Sequence, residues 1–284
     1  MTGGGGLEIW QFKDRVPSPP TVPVEFGDLG IYAMKIRCKN LTVMRKYLEG
    51  LSLHNISKIN KIFNASFYFD DPFGNRVQLV EDKYSFCRRP SKNGGVLGAV
   101  IGVSDMESSL NFYGKMLGYT IVAFDSIETL SDTSKGKFRK VIIMQERTSF
   151  GGFGDLLGPT QLELVQVLDR TPTKIFKNRI WGDLGYIHLC FDVSGMGNIR
   201  EKAKENKYPF TVDSANSFDM GDAAGHFSYM EDPDGTLIEL VETHKVPILK
   251  SLGWFLNLKK RNPHKTLPKW LVKSLSMHRV RKDR

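Results

Sequence analysis

Three cysteines in 284 residues, Cys38, Cys87 and Cys190, are an odd number with no C-x-x-C spacing. That argues against a disulfide framework and against a cysteine-based zinc site, and predicts reduced thiols. No run of about 18 apolar residues occurs, so no segment has the length and composition of a membrane-spanning helix. The N-terminal stretch MTGGGGLEIWQF lacks both the charged start and the apolar core of a signal peptide. A cytoplasmic location is the expectation. The body of the chain also lacks an excess of charge of either sign. Twelve Lys or Arg and one acid lie between Lys245 and Arg284, giving that tail +11 of a total of +9, so the preceding 244 residues carry −2. A body so close to neutral has no electrostatic footprint for nucleic acid, and no such partner is expected.

What is present is globular material. With 40% apolar residues, the chain is long enough for one large domain or two ordinary ones. Its strongest feature is self-similarity. GLEIWQFKDRVP from Gly6 is echoed by QLELVQVLDRTP from Gln161, and FGDLGIYAMKI from Phe26 by WGDLGYIHLCF from Trp181. Both pairs are separated by 155 residues. The turn and strand DPFGNRVQLVE, from Asp71, is echoed by DPDGTLIELVE, from Asp232, at a separation of 161. Ungapped agreement of a strand, a linker and a second strand indicates duplication.

Each copy follows one grammar: a strand such as YIHLCFDV, a helical stretch such as MGNIREKAKENKY, two short strands, then a turn and a last strand. The unit is β-α-β-β-β. Units are expected at 27–82, 95–169 and 182–243, with Gly3 to Phe12 as the last strand of a fourth. The expected organisation is an incomplete N-terminal module over 1–86, a polar linker over 87–95 (CRRPSKNGG from Cys87), a complete module of two units over 96–245, and a basic amphipathic helical tail over 246–284. The half-module reads either as a truncated form or as one completed by a partner chain, and a homodimer is a candidate assembly.

The order GVSDMESSLNFYGKMLGY, LELVQ, GYIHLCFDV, YMEDPDGTLIELVE resembles the vicinal oxygen chelate superfamily, which includes glyoxalase I, methylmalonyl-CoA epimerase, extradiol dioxygenases and the fosfomycin and bleomycin resistance proteins. The resemblance implies an α+β fold in which repeated β-α-β-β-β units form cupped mixed sheets, each cup holding a divalent metal. Carried over by position, it implies Glu163, His188 and Glu239 as metal ligands, with the fourth place falling at Gly98, where metal-bearing members usually have His or Gln. In the earlier copy the matching places hold Glu8, Ala33 and Gln78, so that half is expected to be structural.

Taken singly, Glu163 or Glu239 reads as a carboxylate on the solvent face of an edge strand, and His188 as a hydrogen-bonded core histidine. Together at three family positions they favour a metal site. One imidazole with two carboxylates is a hard donor set that suits Zn²⁺, Mn²⁺, Fe²⁺, Co²⁺ or Ni²⁺. Such a metal stabilises charge on substrate oxygens while a carboxylate moves a proton from carbon, and Glu239 is the candidate base. The expected function is therefore metal-dependent glyoxalase-like lyase, isomerase or epimerase work at a carbon next to a carbonyl of a small oxygenated substrate. The alternative is a non-catalytic binding or sequestration module; extradiol chemistry, which needs a second histidine where Gly98 stands, is disfavoured. His226 is a candidate proton relay against a surface role, and Cys190 shares a strand face with His188 as a neutral thiol. The tail carries two amphipathic stretches, Ile248, Leu252, Phe255, Leu258 and Leu267, Leu271, Leu275, broken by Asn262-Pro263. Docking on the chain itself or on a second subunit is expected ahead of contact with an anionic membrane surface.

Overall fold

A computed structural model of the protein describes residues 2–87, 91–130, 135–146, 150–214, 218–219, 224–249 and 253–274. In chain order these form β1 (Gly30–Cys38), α1 (Leu41–Glu49), β2 (Ser66–Asp70), β3 (Arg76–Glu81), β4 (Asn93–Gly102), α2 (Met106–Leu117), β5 (Ile121–Leu130), β6 (Gly136–Met144), α3 (Gly154–Leu157) and β7 (Gln161–Val167). They are followed by β8 (His188–Asp192), α4 (Met196–Glu205), β9 (Val212–Asp213), β10 (Phe218–Asp219), β11 (Ala224–Glu231), β12 (Leu237–Leu249), β13 (Trp254–Asn257) and α5 (Lys269–Ser274). Residues 95–169 show the β-α-β-β-β order as β4-α2-β5-β6-β7 and 182–243 show it around β8, α4, β11 and β12, whereas 27–82 forms β1-α1-β2-β3, one strand fewer. No helix among the described residues is long and apolar enough to cross a membrane.

Local chemistry explains the elements. Asp105 caps α2 by accepting the Ser108 amide at 2.6 Å, and Gly118 ends it in the left-handed conformation that a Cβ disfavours. Between them Met106, Phe112, Tyr113 and Met116 recur at helical spacing and are buried. The two Asp-Pro-x-Gly turns are built alike. Asp71 Oδ1 accepts the amides of Phe73 and Asn75, and Asp232 Oδ1 those of Asp234 and Thr236, with Gly74 and Gly235 at positive φ.

How the units combine differs from expectation. One sheet has seven strands in the order β2-β3-β1-β4-β7-β6-β5, so the 95–169 unit pairs with the 27–82 unit through antiparallel β1 and β4. The 182–243 unit lies in the second sheet, in which β10-β11-β12-β13 are joined by β8 on β12 and β9 on β11. A short linker joins β3 to β4, whereas twenty residues separate β7 from β8. Chain neighbours joined closely are the ones that pair. The segment 6–12, expected as a strand, lies outside both sheets, with one bridge from Gly5 to Val96 at its start.

The cups stand back to back. Ala99, Ile101, Leu162 and Leu164 on one convex face meet Met230, Ile238 and Leu240 on the other, with α2 and α4 between them. Two polar contacts pin the join: the Tyr113 hydroxyl donates to buried Asp232 at 2.9 Å, and the Ser104 amide to Asp234 at 2.9 Å. Both acceptors belong to the DPDG turn. The tail keeps a C-terminal helix, α5, as expected. Its first stretch continues β12 and returns as strand β13, while Leu267, Leu271 and Val272 around α5 bury against Phe86. Leu252 and Leu275 lie outside the described residues.

Candidate functional site

The duplicated linkers decide which carboxylate enters which cup. Arg15 donates to Asp183 at 2.6 Å and to the Trp181 carbonyl at 2.8 Å. At the equivalent positions 155 residues on, Arg170 donates to Asp28 at 2.7 Å and to the Phe26 carbonyl at 2.9 Å. Each arginine thus clamps the Gly-Asp-Leu-Gly turn of the other copy. Backbone bonds repeat the exchange: the Leu184 amide donates to Ser18, and the Leu29 amide to Thr173. Backbone donation from Ile180, the Arg15 guanidinium and the Ser18 amide hold the Asp183 carboxyl well below its ordinary range.

The consequence is a swap. Segment 6–12 is carried to β8, and ligand atoms of Glu8, His188 and Glu239 lie within 4.8 Å of one another. His188 and Glu239 therefore stand together as expected. Glu163 does not join them: it lies in the seven-stranded sheet, where its Oε2 accepts from Lys35 Nζ at 2.6 Å. Glu8, expected in a purely structural half, takes that place, and its 155-residue equivalence to Glu163 is the signal in the sequence that points to it.

In the second cup, β12 sets Glu239 in register between Cys190 of β8 and Tyr229 of β11. His188 Nε2 is 3.1 Å from Glu239 Oε2. The ring is stacked on Trp181, at 5.2 Å between centroids and 26° between planes, and meets the edge of Tyr229. Its Nδ1 is buried and has no hydrogen-bond partner. Burial alone would raise the Glu239 carboxyl, but hydrogen bonds from His188, Tyr229 and Cys190 outweigh it and hold it below its ordinary value. Burial, and then the Glu239 charge, push the Tyr229 phenol up, so it stays a donor. The same two causes, in that order, push up the Cys190 thiol, although the residue as a whole is exposed along the open flank of β8. That keeps it a neutral thiol.

His226 is corrected as a relay. It lies three residues from Tyr229 on β11, and alternation along a strand sends it to the opposite face. There it is buried, with Nε2 at 2.6 Å from Asp213 Oδ1. Gly98 is no vacant ligand place either: a Cβ there would lie 1.8 Å from the Gln161 carbonyl oxygen.

Paired cups of β-α-β-β-β units with a His and carboxylate set inside one of them define a vicinal-oxygen-chelate architecture. The sequence model of the glyoxalase/bleomycin resistance protein/dioxygenase superfamily matches residues 96–240, and the chain belongs to that family. Among solved structures it is similar to glyoxalase I from Zea mays, at 16% identity and a TM-score of 0.50, covering 76% of this chain and 68% of that one. A mutant of the same maize enzyme matches at 16% identity and a TM-score of 0.50, over 78% of this chain and 72% of that one. A proposed dioxygenase of Bacillus subtilis matches at 13% identity and a TM-score of 0.49, over 76% of this chain. This chain spans 63% of that protein's length. No curated protein matches it.

Proposed function

We propose that the second cup is the centre of a divalent-metal-dependent lyase, isomerase or epimerase acting at a carbon next to a carbonyl of a small oxygenated substrate. One observation carries the reading: ligand atoms of Glu8, His188 and Glu239 converge within 4.8 Å, with His188 Nε2 3.1 Å from Glu239 Oε2. The donor set of one nitrogen and two carboxylates fits Zn²⁺, Mn²⁺, Fe²⁺, Co²⁺ or Ni²⁺. When bound, such an ion supplies Lewis-acid stabilisation of negative charge on substrate oxygens.

The remaining work falls to the chain. Glu239, kept ionised by its hydrogen bonds, accepts the proton from carbon; Tyr229, kept protonated, orients it. Trp181 fixes the plane of His188. Two conditions test the reading together: purified protein loaded with Zn²⁺ or Ni²⁺ holds about one equivalent, and it exchanges the α-proton of a hydroxycarbonyl adduct or a CoA thioester with solvent deuterium. A His188→Ala, Glu239→Ala variant should hold almost none. Equal metal content in both proteins overturns the metal site, and metal without exchange on either substrate class leaves the non-catalytic binding module as the better reading.

Arg15 acts as a positioning residue, because its clamp on Asp183 fixes the segment that carries Glu8. Arg15→Ala is expected to weaken metal affinity by about 10-fold or more, as loss of supporting contacts around a metal site does. Titration with a competing chelator reads this. Unchanged affinity would mean that Glu8 is held without the clamp.

A further inference from the structure

The first cup has lost the ligand set but kept a cavity of about 630 Å³ on its concave face, a size typical of small-molecule sites. Its floor parallels the metal cup residue by residue. Gln78 stands in register between Lys35 and Tyr68, as Glu239 does between Cys190 and Tyr229. Ala33, in the place of His188, is buried in an apolar cluster with Phe26, Val100 and Phe138. At the centre, the Lys35 ammonium meets Glu163 at 2.6 Å.

Three observations define what this cavity would hold. Its charges are already matched inside the protein: Lys35 with Glu163, Lys140 with Glu128 at 3.1 Å and Arg76 with Asp70 at 3.0 Å. The lysines at its rim, Lys58 and Lys61, are exposed to solvent. Its unmatched groups are neutral and buried. The amide oxygens of Gln78 and Gln161, residues 5% and 2% exposed, have no hydrogen-bond partner, and both residues line the cavity. The Gln78 amide nitrogen already donates to Ser66 at 3.2 Å, which leaves the oxygen as its free end. The bond to Glu163 uses one of the three donors of the Lys35 ammonium. Phe124, with Phe63 at 5.7 Å, adds an aromatic wall.

We propose that the first cup is a metal-independent binding site for a small, uncharged molecule bearing hydroxyl or amide groups beside a flat apolar part, recognised by Lys35, Gln78 and Gln161. A hydroxyl or a primary amide both donates and accepts, so one group serves the glutamine oxygens and the ammonium together. A carboxylate has no proton to give the glutamines and meets Glu163. An ammonium has no lone pair for Lys35. The aromatic wall takes the apolar part. This site is independent of the metal reading of the other cup.

A charge series on one ring tests the idea: benzamide, benzoate and benzylamine, followed by ligand-observed NMR on the full chain. Benzamide is expected to bind at least about tenfold more tightly than either ion, the roughly 1.4 kcal/mol that one mismatched buried group costs. Binding should survive excess chelator and the His188→Ala substitution. It should be lost in Ile142→Trp, which fills the cavity, and in Gln161→Leu, with folding of each variant checked by circular dichroism and thermal melting. Should Ile142→Trp fail to fold, Gln161→Leu alone carries the test. Three results would each overturn the proposal: ions binding as well as benzamide, benzamide binding abolished by chelator or by His188→Ala, or no benzamide binding to folded wild-type protein.

Discussion

Lys35→Met is expected to destabilise the fold by about 3–5 kcal/mol, the range found when one partner of a buried ion pair is removed. The Lys35 and Glu163 side chains are 2% and 3% exposed, so the truncated variant leaves a largely buried carboxylate without its ion-pair partner. Lys140 and Gln78 also act on Glu163, but burial opposes them and Lys35 is the largest favourable contribution. Removing both charges is a different case. Lys35→Met with Glu163→Leu strands no charge and is expected to keep most of the wild-type stability, because apolar replacement of a buried pair is often neutral or better. Denaturant unfolding of the two variants reads the difference, and equal losses would show that packing, not charge, is at stake.

The pH dependence of that difference has a definite sign. Burial would raise the Glu163 carboxyl, yet Lys35, Lys140 and the Gln78 hydrogen bond hold it below its ordinary value. A carboxyl depressed in the folded state contributes stability above the unfolded value of about 4.3, and that contribution fades as pH falls through the folded value. The advantage of wild type over the variant lacking both charges should therefore shrink on acidification below about pH 4. A stability gap that stays constant from pH 7 to pH 3 would contradict it.

Gly98→His, which writes the family's usual ligand at a position that lies in the other sheet from His188 and Glu239, is expected to cost roughly 3 kcal/mol or more and to add no metal. The strand β4 is hydrogen-bonded on both sides there, to Lys35 and to Gln161, and a Cβ would sit 1.8 Å from the Gln161 carbonyl oxygen. Backbone cannot yield as a flexible side chain does. Gly6→Ala is the control, because its Cβ meets nothing within 4 Å. Unfolding midpoints and metal content of the two variants check both halves of the expectation. A stable Gly98→His protein would mean that β4 can move away from β7.

Much of this is legible before any coordinates. The 155-residue echo, the β-α-β-β-β grammar and the Asp-Pro-x-Gly turns follow from local chemistry: turn geometry, helix caps and alternation along strands act within a few residues. For the same reason His188 and Glu239, a parallel pair on neighbouring strands of one unit, come together as their motif implies. His226 was misplaced because three residues along a strand invert the face, and the boundary of β11 was not readable. Of the two tail stretches only the first is strand, because Ile248 and its neighbours suit a strand edge as well as a helical face.

The sequence by itself determined the unit, its repetition and two of the three candidate ligands, since each depends on residues close together in the chain. Only the tertiary structure decided which unit faces which, and so which carboxylate stands beside His188. Glu8 and Glu163 occupy the same place in the repeat, and nothing within either copy distinguishes them. The choice is made by contacts 142 to 168 residues apart, Arg15 on Asp183 and Arg170 on Asp28. They give Glu8 to the histidine and leave Glu163 with a lysine.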